Sequence, residues 1–176
     1  IHNVIDMNTG TLETTVFKRI KIYKKDKAED YLNLEIYLQQ NDRNDRETVT
    51  NLKAITYNLD GDKVTTTPVQ KDSKIKSKEN KYITIQKVAF ENVKDGSVLE
   101  YKYVKNSPFI QELPKVYFER DIPVVYQEYI LDAPKPYGFN INFQGSLVPK
   151  YKQVEPKMLY GIDSNTWRFG FENVKP

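Results

Sequence analysis

In YLNLEIYL, Leu32, Leu34, Ile36 and Leu38 alternate with Asn33, Glu35 and Tyr37. Side chains that change face at every residue belong to a strand with one buried side. TVFKRIKIY, LKAITYNL, YITIQKVAF, SVLEYKYV, VVYQEYIL, GFNINF and TWRFGF repeat the pattern in β-branched and aromatic residues. Helical spacing is nearly absent, and KKDKAED predicts one short helical turn at most. The spacing of turn signals predicts roughly eight to ten strands.

Magnitudes then choose between one layer and two. Burying the four apolar side chains of the Leu32 strand contributes about 6–12 kcal/mol. Ordering the backbone from Leu32 to Leu38 costs about 7–14 kcal/mol. A lone strand does not gain, so its apolar face must meet a second layer. With no helices available, that layer is another sheet. The expected fold is an all-β, antiparallel two-sheet β-sandwich with little or no helix. Gly61 in LDGDK and Gly96 in VKDGS mark turns that need a positive φ. Prolines in NSPF, ELPK, RDIPVV, DAPKPYG, LVPK and VEPK mark strand starts, edges or loops, because proline has no amide hydrogen to give a ladder. Apolar strands flank the loop-like stretch from Ala133 to Gly138, so residues 1–176 read as one domain rather than two divided there.

The 176 residues suffice for a core without staples, and the chain has no cysteine. That removes disulfides, thiol nucleophiles and thiolate metal sites. His2 is the sole histidine and sits at a terminus. Neither a Ser-His-acid nor a Cys-His arrangement can be assembled within the chain, and zinc lacks ligands. No catalytic residue, metal site or cofactor is expected. A net charge of +3 is too mild to imply nucleic acid, and no apolar run could span a bilayer.

Weaker patterns have plain explanations. Asn58, Asp60 and Asp62 have the opening pattern of a calcium loop, but the glycine is misplaced and Val69 stands where a bidentate Glu is needed. A hairpin turn accounts for them. Lys71, Lys74, Lys76, Lys78 and Lys81 form a basic stretch better suited to a solvated edge strand than to a polyanion. Glu100, Glu119 and Glu128 could supply a glycosidase-type pair, yet acids alternating with apolar residues are the ordinary polar face of a sheet. Thirteen tyrosines and Trp167 exceed what a β core requires. Tyr101 and Tyr103 share a face with Leu99 and should pack inward. Tyr37 lies opposite the Leu face, so Tyr37, together with Trp167, is the candidate surface for a protein or glycan ligand.

YNLDGDKV, FENVKDGSVLEYKYVKNSPF, YFERDIPVVYQEY and WRFGFENV occur in an order that resembles the uncharacterised β-rich domain preceding a transglutaminase-like domain in exported proteins of Gram-negative bacteria. The likeness runs from about Phe17 to the end, and NVKDGSVLEYKY followed by SPF is its most specific part. It implies a non-catalytic accessory module that positions an adjacent transglutaminase- or protease-like domain, or presents its substrate. The Cys-His-Asp triad would belong to that domain. It also implies export, to the periplasm or outer surface, without a signal peptide in this chain. The family commonly carries glutamine at the position of Glu119, so no role is carried over to that side chain. A start at Ile1 and an end at Pro176 fit a processed chain or an excised domain.

Overall fold

The computed structural model describes every residue except Lys71, Glu112, Pro114, Lys115, Phe139 and Asn140. Strands dominate it: β1 (His2–Asp6), β2 (Thr11–Lys21), β3 (Asn33–Gln39), β4 (Thr48–Asp60), β5 (Lys63–Pro68), β6 (Lys74–Lys78), β7 (Ile83–Ala89), β8 (Val98–Ser107), β9 (Val124–Pro134), β10 (Tyr151–Leu159) and β11 (Ile162–Val174). The KKDKAED region forms single-turn 3-10 helices at Lys25–Lys27 and Glu29–Tyr31. The chain is therefore all-β, and its described pairings are antiparallel except β1 with β9. No helix among the described residues is long and apolar enough to cross a membrane.

The chain divides into two compact units, an inserted unit of residues 15–106 and a terminal unit of residues 1–14 and 107–176. Strand β2 begins in the terminal unit and ends in the inserted one. Ala133 to Gly138 lies inside the terminal unit, so it divides nothing.

The inserted unit is a two-layer sandwich. One layer has the order β2-β8-β4-β5 and the other β3-β7-β6. Alternation turns Leu34, Ile36 and Leu38 of β3 inward, where they meet Ala54, Val69 and Val88. Tyr101 and Tyr103 pack against this cluster with their rings stacked 6.2 Å apart. Ile20, Ile22, Val93 and the fully buried Leu99 close one end. Both predicted glycine turns appear. Gly61, at φ 61°, opens the β4–β5 hairpin, and Gly96, at φ 86°, precedes β8. The buried Ser97 pins the second turn: its Oγ accepts from the Lys94 amide and donates to Asn58 Oδ1.

In the terminal unit the order is β10-β11-β9-β1, with the first residues of β2 beside β1. One face of this sheet carries Ile5, Tyr129, Leu131, Ala133, Phe169 and Phe171. Irregular chain, not a second sheet, supplies much of its cover: Ile110, Leu113, Val116, Phe118, Ile141 and Leu147 pack against it. Phe118 lies 4.1 Å from Phe171, and Phe143 meets the edge of Phe169 at 5.0 Å. The described residues of GFNINF, predicted as a strand, carry no strand. Ile141 and Phe143 pack over the core instead.

The sequence pattern does not predict strand β10, because Pro156 interrupts the short alternation of Val154 and Met158 in YKQVEPKML. It lies at the edge of its sheet. The two-residue hairpin Tyr160–Gly161, both at positive φ, joins it to β11 and puts Pro156 opposite Asn165. Counting from the hydrogen-bonded pair that closes such a hairpin, Pro156 directs its nitrogen to the open edge, where no donor is needed.

Candidate functional site

The densest set of polar contacts stands on the face of the terminal sheet opposite its apolar core. Along β9, Glu128, Ile130 and Asp132 alternate with the buried Tyr129, Leu131 and Ala133. Register brings Gly170, Arg168 and Thr166 of β11 beside them, then Tyr151, Gln153 and Glu155 of β10. On the other side β1 contributes His2 and Val4.

Asp132 is the hub, with 1% of its surface exposed. Its Oδ2 accepts from His2 Nε2 at 2.9 Å and from Lys157 Nζ at 2.6 Å, and its Oδ1 accepts from Thr166 Oγ1 at 2.5 Å. Burial alone would raise the pKa of this carboxyl. Hydrogen bonds from Lys157, Thr166 and His2 outweigh it and hold the group below the ordinary carboxylate value. Four strands thereby meet at one carboxylate.

A second cluster lies on the same face around Glu128, four residues from Asp132 along β9. Tyr151 reaches across Gly170, where an added Cβ would lie 2.1 Å from its ring, and donates to Glu128 Oε1 at 2.5 Å. Its hydroxyl also meets that of Tyr126 at 2.9 Å, and Arg168 stands 3.6 Å from the same carboxylate. Burial, followed by the neighbouring Glu128 and Tyr126, raises the Tyr151 pKa.

The chemistry of the hub follows from which atoms meet. In a hydrolytic triad the imidazole stands between acid and nucleophile, one nitrogen to each. Here His2 and Thr166 both address Asp132, so the hydroxyl is directed to the acid rather than to the imidazole. The arrangement is a buried carboxylate saturated by donors. The sequence alone suggests a poorly ordered terminus around His2; the structure places it in β1, paired with β9 and bound to Asp132. Asp132 does not stand out in the sequence, because one acid in YILDAP carries no visible pairing.

The other sequence candidates have separate surroundings. Tyr37 is 54% exposed on β3, where its hydroxyl donates to Glu35. That hydrogen bond raises the Tyr37 pKa, while Lys87 and then Tyr37 lower that of Glu35. Trp167 is half-buried and packs against the terminal core, so it is not the exposed companion to Tyr37 that its sequence position suggests. Glu100 accepts from Arg19 and Tyr57 in the inserted unit, whereas Glu128 is held in the terminal unit. Glu119 lies outside any strand. Asn58 is buried, and Asp60 is bound by Lys94 and Thr65 at the hairpin. Lys74, Lys76 and Lys78 fall on β6, an edge strand, and Lys81 pairs with Asp42; Lys71 lies outside the described residues. No grouping of three or more His, Asp or Glu able to hold a metal occurs among the described residues.

Residues 8–176 match a family described as a domain of unknown function with a solved structure, DUF3857. No curated protein matches. Among solved structures, the fold is similar to a crystal structure described as a "putative protease" from Parabacteroides distasonis ATCC 8503, with a TM-score of 0.72 and 12% sequence identity. The match covers 99% of this chain and 34% of that one, so the chain spans about a third of its relative's length.

Proposed function

Because the chain belongs to the DUF3857 family, we propose that it is a non-catalytic accessory module of a larger exported protein. In this reading it positions a neighbouring transglutaminase-like or protease-like domain, or presents substrate to it, in the periplasm or on the outer surface of a Gram-negative cell. The observation that carries the reading is the match of nearly the whole chain to one third of a protein described as a "putative protease". The saturated hub adds support, since Asp132 and His2 engage each other and leave the Thr166 hydroxyl on the acid.

The test compares the purified 1–176 chain with the full polypeptide encoded by its gene. Both are assayed for peptide hydrolysis and for incorporation of a fluorescent amine into casein. Turnover by the full polypeptide and none by the 1–176 chain is expected. Turnover by 1–176 alone, or a gene with no Cys- and His-bearing domain downstream of the segment encoding residues 1–176, would overturn the reading. A second reading, glycan binding, is favoured by the exposed Tyr37; a glycan array negative at millimolar ligand would remove it.

A further inference from the structure

The inserted unit turns an unusual face outward. In β8 and β4 alternation sends Leu99, Tyr101, Ala54 and Thr56 into the sandwich, leaving Val98, Glu100, Lys102, Lys53, Ile55 and Tyr57 on the other side. Leu59 and its cross-strand neighbour Val64 continue this side onto β5, and Phe17 and Arg19 stand on β2. Phe17, Leu59 and Val64 are each more than half exposed. An antiparallel sheet facing water ordinarily presents polar residues there. Exposed apolar side chains gathered on one sheet face mark a surface that meets another molecule.

The charges on this face indicate what the other molecule carries. Arg19 donates through Nε to Glu100 at 2.8 Å, Tyr57 donates to the same carboxylate, and the guanidinium lies 5.9 Å from the Phe17 ring. This set of Phe, Arg and Tyr is internally neutral and has the composition of an interface centre. Lys53 and Lys102 differ. They stand directly opposite each other on neighbouring strands, with no carboxylate partner among the described residues. Like charges so placed repel unless something neutralises them.

We propose that this face docks a protein surface that is apolar at its centre and bears carboxylates for Lys53 and Lys102. We further propose that this surface belongs to the catalytic domain of the same polypeptide. The second statement rests on the function proposed above. A second copy of the chain fits poorly: Glu100 is the acid of this face in the inserted unit, and Arg19 and Tyr57 already hold it. Pairing this face with itself would set the Lys53–Lys102 pair of one copy against that of the other.

Lysine acetylation followed by mass spectrometry tests the assignment on the full polypeptide, with the 1–176 chain as reference. Labelling of Lys53 and Lys102 is expected to fall at least ten-fold in the full polypeptide, while the exposed edge residue Lys76 labels equally in both. Lys53→Glu separates docking from folding. In 1–176 it creates a cross-strand Glu–Lys pair and raises the melting temperature, whereas in the full polypeptide it restores labelling of Lys102. Equal labelling of Lys53 and Lys102 in the two proteins overturns the docking face yet leaves the accessory role standing. Concentration-dependent protection in 1–176 alone, or protection only on anionic vesicles, overturns the proposed occupant. A gene encoding no further domain instead removes the functional reading.

Discussion

Asp132→Asn removes one charge from the hub and almost no volume. Hydrogen bonds to a charged group contribute about 1.5–3 kcal/mol each, and Asp132 accepts three. Their sum overstates the loss, because His2 and Lys157 are both more than one third exposed and regain water when released. Asparagine also keeps an acceptor for Thr166. Breaking a fully buried pair costs about 3–5 kcal/mol, and the exposed partners place this case at the lower end, near 3. For a chain of this size that lowers the melting temperature by about 6–12 °C. Calorimetry at pH 7 checks the shift. Adding Lys157→Met to the Asp132→Asn variant should cost at least about 1 kcal/mol less than in the native chain, since the partner is already lost.

The pH dependence follows with a definite sign. The folded carboxyl titrates below its unfolded value, so its contribution is complete above about pH 4 and is lost as the pH falls through the lower folded value. The melting temperatures of the native chain and the Asp132→Asn variant should therefore converge in acid. A variant melting within about 1 °C of the native chain at pH 7, or a gap that does not narrow as the pH falls below about 4, would refute the account of the hub.

Three further outcomes are expected. Gly170→Ala pushes a methyl into the Tyr151 ring, forcing that side chain off Glu128 at a cost of about 1–3 kcal/mol; the same change should be nearly silent when Tyr151 is already Ala. A Cβ at Gly96 would meet no atom within 4 Å, but Gly96→Val must hold a φ of 86°, so a conformational penalty of about 1–2 kcal/mol should appear as a lower melting temperature. Phe169→Ala empties the core beneath Phe143 and should cost about 3–5 kcal/mol by denaturant titration.

Much of this fold is legible in alternation because a half-buried strand writes its period directly into the chain. That holds for β3, β7 and β8. It fails where burial and polarity part company. Strand β1 buries Asn3 and turns Val4 to the polar face, so its alternation runs against hydrophobicity. Strand β10 lies at an edge, pairs on one side, and needs no apolar face to hold it. GFNINF errs the other way: its described apolar residues serve as cover over the core of Phe169 and Phe171, and period two alone cannot distinguish cover from ladder. The hub is invisible in the sequence for a related reason. His2 and Asp132 lie 130 positions apart, and only the parallel register of β1 on β9 makes them neighbours.

The two sheet faces also bear on what such a chain is suited to do. Acid–base catalysis requires a group free to gain and lose a proton near its working pH. On the terminal sheet Asp132 is committed to three donors, Glu128 to Tyr151 and Arg168, and Glu172 to Lys150. Such commitments fix strand positions at the expense of reactivity. On the inserted sheet the outward Ile55, Leu59, Val64 and Phe17 offer no chemistry, but they release ordered water whenever a fitting surface covers them. Internally compensated charge on one sheet and uncovered apolar area on the other fit the proposal made above of a part that holds a neighbour in place.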